Sequence, residues 1–134
     1  MTTRPTSPTP FPVSPAAARK QALGAYGETL AARHLVATGM VLLDRNWRGR
    51  HGEIDLVLRE REVLVICEVK TRSSDDYGTP HEAVDRRKLD RLRRLAAEWL
   101  RAHEVHPSDV RIDMVAVLRP RRGPSRVEHV RGIG

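Results

Sequence analysis

Residues 52–70 read GEIDLVLREREVLVICEVK. Two runs rich in Leu, Ile and Val flank a short charged break, the pattern of two strands joined in a β-hairpin turning near Arg59–Glu62. Four ionisable groups interrupt the apolar runs: Glu53, Asp55, Glu68 and Lys70. Burying charge in a small core is costly unless it is paired or coordinated. The hairpin therefore needs a reason for its carboxylates as well as a place in a sheet.

The chain has 134 residues, enough for one domain with a modest core. No apolar run is long enough to span a bilayer, and the N-terminus shows no secretory h-region. Cys67 is the single cysteine, which excludes a disulfide framework or a cysteine zinc cluster. A cytoplasmic protein without membrane attachment is the expectation.

The formal net charge is +7. Residues 1–20 carry Arg4, Arg19 and Lys20 and no acid, and residues 119–134 carry five arginines against Glu128. The stretch between them, 21–118, holds 16 basic and 16 acidic residues. The excess charge thus sits at the two ends, which suits a polyanion such as nucleic acid and equally suits two solvated tails. Five of the nine prolines fall in residues 1–15, so 1–20 is expected to be a Pro-rich disordered tail. Residues 21–118 are expected to form the domain and 119–134 a basic tail.

Helical spacing runs from about Ala16 to Met40, with Leu23, Gly27, Leu30, Ala31 and Leu35 on one side and Gly39 as a stop. Glu28 lies at the edge of that buried side. Gly24 and Gly27 beside it suggest close approach to another element. A first strand is expected at Met40–Asp44, then a loop over NWRGRHG (46–52), then the hairpin. A second helix is expected from Thr79-Pro80-His81-Glu82 or from Asp85, with Leu89, Leu92, Leu95, Ala96 and Trp99 as its apolar stripe. VRIDMVAVL (110–118) is a last strand. The order α-β-β-β-α-β predicts an α/β domain, a sheet covered by helices.

Side chains alternate along a strand, so Glu68 and Lys70 share one face and Val69 takes the other. Pairing Leu58 with Val63 puts Asp55 opposite Ile66 and diagonal to Glu68; a two-residue slip keeps the face. Asp55, Glu68 and Lys70 then project together. Two close carboxylates repel, and a hard divalent cation, Mg²⁺ or Mn²⁺, removes that conflict. Such a site equips a chain to hydrolyse a phosphodiester, with the cation as Lewis acid and the lysine stabilising phosphate charge. The plainer reading is an ion pair in which Lys70 neutralises Glu68 or Asp55. Glu53 is expected on the opposite side of the strand from Asp55, as a secondary residue. Arg48, Arg50 and Arg72 are candidate phosphate contacts, while Trp47 is read as a loop anchor. His51 and His81 are read as exposed, Cys67 as buried and inert, and Asp113 as a residue that orients a neighbour.

These residues carry a resemblance. Asp55 and Glu68-Val69-Lys70 across a hairpin, after a helix bearing Glu28, resemble the PD-(D/E)XK nuclease superfamily. GAYGETLAARHL (24–35), NWRGRHGEIDLV (46–57), EVKTR (68–72) and RIDMVAV (111–117) resemble the YraN-like family of uncharacterised bacterial proteins, over roughly residues 21–118. The resemblance implies a restriction-endonuclease-like core with a mixed sheet, similar to archaeal Holliday-junction resolvases. It implies catalytic roles for Asp55, Glu68, Lys70 and Glu28, and metal binding by Asp55, Glu68, Glu28 and the Val69 carbonyl. The expected activity is metal-dependent cleavage of DNA, with branched repair or recombination intermediates as candidate substrates. The alternative is a nucleic-acid-binding protein that does not cut. Resolvases act as two-fold dimers, so a homodimer is among the expectations, although no dimer surface is legible in the sequence.

Overall fold

The computed structural model describes residues 13–73 and 85–134. The expected helix start at Thr79–Glu82, and with it His81, lies outside the described residues. The chain runs α1 (Pro15–Ala37), β1 (Val41–Gly49), β2 (Gly52–Glu60), β3 (Val63–Ser73), α2 (Arg86–His103), β4 (Asp109–Arg119) and β5 (Arg126–Val130). One five-stranded sheet has the order β1-β2-β3-β4-β5. Only β3 and β4 run parallel, joined through α2; the other neighbours are antiparallel. This is the expected mixed sheet flanked by helices, extended by a fifth strand.

Alternation along β3 divides the core in two. Val65 and Cys67 join Ala31, Leu35, Leu56, Leu58, Val115 and Val117 under α1. Leu64 and Ile66 join Ile54, Val57, Leu92, Leu95, Trp99 and Ile112 under α2. Both faces of the central strands are therefore apolar, and each fully buried aliphatic side chain contributes roughly 1.5–3 kcal/mol. Cys67 is fully buried, and burial pushes its thiol pKa up, with the charges of Asp113, Asp55 and Glu68 adding to the effect. That fits the expected inert role.

The helices start and stop where local chemistry directs. Ser14 caps α1 by accepting from the Ala17 N–H at 3.1 Å, with Pro15 at the first helical position. Gly39, at φ 107°, ends the segment. Asp85 caps α2 by accepting from the Lys88 N–H at 2.9 Å. At its far end α2 is tied to β1: Trp99 Nε1 donates to Asp44 at 3.1 Å, and the His103 ring stacks on Trp99.

Three expectations change. Asn46–Gly49 belong to β1, with Asn46 at φ 54°, so the loop shrinks to Arg50 and His51. Residues 15–20 are helical, so the expected tail boundary at residue 20 falls inside α1. The expected basic tail 119–134 gives way to β5, because its cations meet anions on the sheet. Asp113 is fully buried and accepts from Arg111 Nε at 2.7 Å and NH2 at 2.9 Å, and from the Gly132 N–H at 3.0 Å. His129 Nε2 lies 2.7 Å from the same carboxylate, and Arg131 donates to Glu60 at 2.7 Å. Burial alone raises an Asp pKa, but Arg111, the Gly132 N–H and His129 outweigh it and hold Asp113 below the usual range. Asp113 thus orients neighbours, as expected, and anchors the C-terminal strand.

Of the two glycines on α1, only Gly27 marks a close approach. A methyl there would lie 2.8 Å from Thr71 Cβ and 2.9 Å from its Cγ2, whereas nothing stands within 4 Å of Gly24. Thr71 Cβ is fixed by the β3 backbone, and its branched side chain has few rotamers to move to. Gly27→Ala should therefore destabilise the protein by about 1–3 kcal/mol, while Gly24→Ala should be stabilising by roughly 0.5–1 kcal/mol through helix propensity. Urea denaturation of the two variants checks this; equal effects would contradict the close α1–β3 contact.

Candidate functional site

Leu56 pairs with Cys67 and Glu60 with Val63, a register two residues removed from the one proposed above, so the side-chain faces are unchanged. The hairpin turns at Arg61-Glu62, with Arg61 at φ 55°. The β2–β3 ladder ends at Leu56 and Cys67. Continued one step it would set Asp55 against Glu68; two steps, Ile54 against Val69. Instead β2 stays with β1, pairing Ile54 with Trp47, and parts from β3. The Val69 N–H left over is taken by Asp55 Oδ2 at 2.8 Å. Asp55 is thus tied to β3 between Glu68 and Lys70.

The surrounding charges are organised around this junction. Burial first, and the neighbouring charge of Glu68 second, push the Asp55 carboxyl up to about 7; the Val69 N–H opposes the shift, and Glu28 and Glu53 add to it. Four carboxylates therefore sense one another. Glu53 is two positions from Asp55, not one, and its charge reaches Asp55. That corrects the expected opposite-side placement. Gly27 brings α1 against Thr71 on β3, and Glu28 follows Gly27 in the chain.

Each glutamate has a cation of its own. Lys88 Nζ lies 2.7 Å from Glu68 Oε1, Arg45 Nε 3.6 Å from Glu28 Oε1, and Arg48 NH2 3.7 Å from Glu53 Oε2. Lys70, the expected partner, makes no ion pair among the described residues; Lys88 takes Glu68 instead. Lys88 was not legible as a site residue, because its role depends on where the capped first turn of α2 lands. Arg50 donates its backbone N–H to Glu98 at 3.0 Å, and His51 Nδ1 lies 2.8 Å from the same carboxylate, so His51 is a partner of α2. Arg48, Arg50 and Arg101 line an open groove beside Trp47, which packs against the α2 core as an anchor. Arg72 follows Lys70 on the same face of β3.

Asp55, Glu68 and Glu28 offer hard oxygen donors, the chemistry that Mg²⁺ or Mn²⁺ prefers. Among the described residues no three His, Cys, Asp or Glu side chains already stand as a metal centre. In this structure Glu68 is paired with Lys88 and Glu28 with Arg45.

A five-stranded mixed sheet between two helices, with carboxylates gathered where the central hairpin parts, is consistent with a nuclease-like α/β core. The model of the uncharacterised protein family UPF0102 matches residues 27–117, and the chain belongs to that family. The UPF0102 protein of a Nocardioides species is 69% identical over 121 residues, covering 90% of this chain and 98% of the relative. Those of Beutenbergia cavernae and Streptomyces coelicolor are 60% identical over 115 residues and 55% identical over 114 residues. They cover 86% and 84% of this chain and 98% and 88% of the relatives. No helix among the described residues is long and apolar enough to cross a membrane.

An Asp with a raised folded pKa binds its proton more tightly folded than unfolded. The charged form therefore destabilises the native state progressively as pH climbs from the ordinary 3.8 to about 7, and fully above that. Asp55→Asn keeps an oxygen for the Val69 N–H and removes the charge. It should raise the melting temperature at pH 8 by about 5 °C or more and leave it nearly unchanged at pH 4. Thermal denaturation at the two pH values checks this, and a lower melting temperature at pH 8 would mean that the charge supports the fold.

Proposed function

We propose that this protein is a metal-dependent phosphodiester hydrolase acting on DNA, an endonuclease with branched repair or recombination intermediates as candidate substrates. The observation that carries the reading is the tie between Asp55 and the Val69 N–H, which holds one carboxylate between Glu68 and Lys70 at the parting of two strands. In this reading Asp55, Glu68 and Glu28, with the Val69 carbonyl, hold Mg²⁺ or Mn²⁺, which supplies Lewis acidity toward a phosphate. Lys70 stabilises charge that develops on the phosphate oxygens. Lys88 and Arg45 keep Glu68 and Glu28 neutralised until those donors are needed. Arg48, Arg50 and Arg72 position the phosphodiester backbone.

A second reading, a nucleic-acid-binding module that does not cut, draws support from the ion pairs that already satisfy Glu68 and Glu28. The two readings part in one assay. Duplex and four-way-junction DNA are incubated with the wild-type chain and Mn²⁺ or Mg²⁺, beside Asp55→Ala and Lys70→Ala. The hydrolase reading expects cleavage that chelation abolishes and that either substitution lowers by about a hundredfold or more. Salt-sensitive binding without cleavage, unchanged in Lys70→Ala, would favour the second reading.

A further inference from the structure

A second cationic surface lies at the same end of the sheet, on the far side of the carboxylates from Arg48 and Arg50. Arg19, Lys20 and Leu23 of α1, Ser73 at the end of β3, Arg119 at the end of β4 and Arg121 just beyond it line a groove of about 670 Å³. Four of its lining residues are cationic and none is acidic. The position is fixed by the fold: Ser73 pairs with Arg119 in the parallel β3–β4 ladder. Ser73 lies three residues beyond Lys70, about 10 Å along the strand at the usual rise. Arg119 is also held in place, its guanidinium 4.8 Å from the centroid of the Tyr26 ring, whose hydroxyl lies 2.7 Å from Ser125 Oγ.

Cations gathered on one exposed groove raise the local concentration of anions there. Three elements contribute to it, which a merely solvated helix face would not require. Across β1 to β4, this end of the sheet carries Arg48 on β1 with Arg50 just after it, then Glu53, Asp55 and Glu68 with Lys70 and Arg72 on β2 and β3, then Arg119 at the end of β4 with Arg121 beyond it. A polyanion can lie across all of it with its charge met on both sides of the carboxylates. The groove lining carries no aromatic residue, so it has no platform for stacking unpaired bases. Its chemistry is phosphate contact without base readout.

We propose that the groove lined by Arg19, Lys20, Arg119 and Arg121 binds the phosphate backbone of duplex DNA, about three base pairs of axial rise from Lys70. The inference rests on the hydrolase reading for its choice of DNA, and it makes substrate choice depend on backbone shape rather than sequence. The test measures binding of the full chain to a fluorescent DNA duplex in EDTA, as a function of salt. Arg19→Glu with Lys20→Glu reverses two exposed charges on α1. Arg59→Glu with Arg61→Glu makes the same change of charge near the hairpin turn, at the opposite end of the sheet.

The groove variant should lose at least about tenfold in affinity, and its salt slope should fall by about two. The hairpin variant should stay within about twofold of wild type. Arg19→Gln with Lys20→Gln, a milder change, should fall between, and matching thermal melts exclude misfolding. Equal losses in the two charge-reversed variants, or no loss in the groove variant, would overturn the proposal. Tighter binding of wild type to phosphatidylglycerol vesicles than to DNA at the same salt, lost in the groove variant, would overturn it in favour of a lipid surface. Because the assay contains no divalent cation, the groove can succeed while the cleavage assay fails, and the reverse.

Discussion

The hydrogen bond from the Val69 N–H to Asp55 organises the molecule around it. A central strand that leaves its neighbour exposes backbone donors, and a buried donor without a partner costs about 1–3 kcal/mol. Here β2 follows β1 away from β3, and a side chain rather than a strand satisfies the exposed amide. The parting of two strands becomes possible because an aspartate stands at it. The same aspartate then carries charge into a half-buried position next to Glu68.

That choice sets the rest of the electrostatics. The fold surrounds the site with its own cations, drawn from separate elements: Arg45 and Arg48 of β1 and Lys88 of α2. Asp55 alone among the four acids has a backbone amide instead, and it is the one whose pKa climbs to about 7. One strand over, in register with Cys67, Asp113 solves its charge differently. Asp113 is fully buried, yet it is held by Arg111, His129 and the Gly132 N–H, and its pKa falls below the usual range despite burial. Asp113 is locked into structure; Asp55 sits half-buried beside Glu68, whose charge raises its pKa, a conflict of the kind a hard cation relieves.

Much of this was legible in sequence because it depends on period. Alternation along the second hairpin strand put Glu68 and Lys70 on one face, and the stripe Leu92, Leu95, Ala96 and Trp99 gave the buried face of α2. Gly27 was legible as a contact, since a helix interior tolerates glycine only at a cost. Gly24 carried the same signal without the contact. Less legible were features that depend on a distant partner. RVEHV reads as polar chain until Asp113 is beside His129, with Glu60 beside Arg131 one residue further on. Lys88 is one of many cations on α2 until the Asp85 cap aims the first turn at Glu68. The hairpin register moved by two residues because the turn tightened to Arg61-Glu62, a change that sequence period cannot detect.

In the proposed reading, the carboxylates at the strand parting form a divalent-cation site with Asp55 at its centre. Isothermal titration of Mn²⁺ into the full chain at pH 7.5, beside Asp55→Ala, tests it without reference to any substrate. Saturable binding at one site is expected in the wild type and none in the variant. Binding of equal strength in both, or no heat in the wild type at millimolar Mn²⁺, would contradict it.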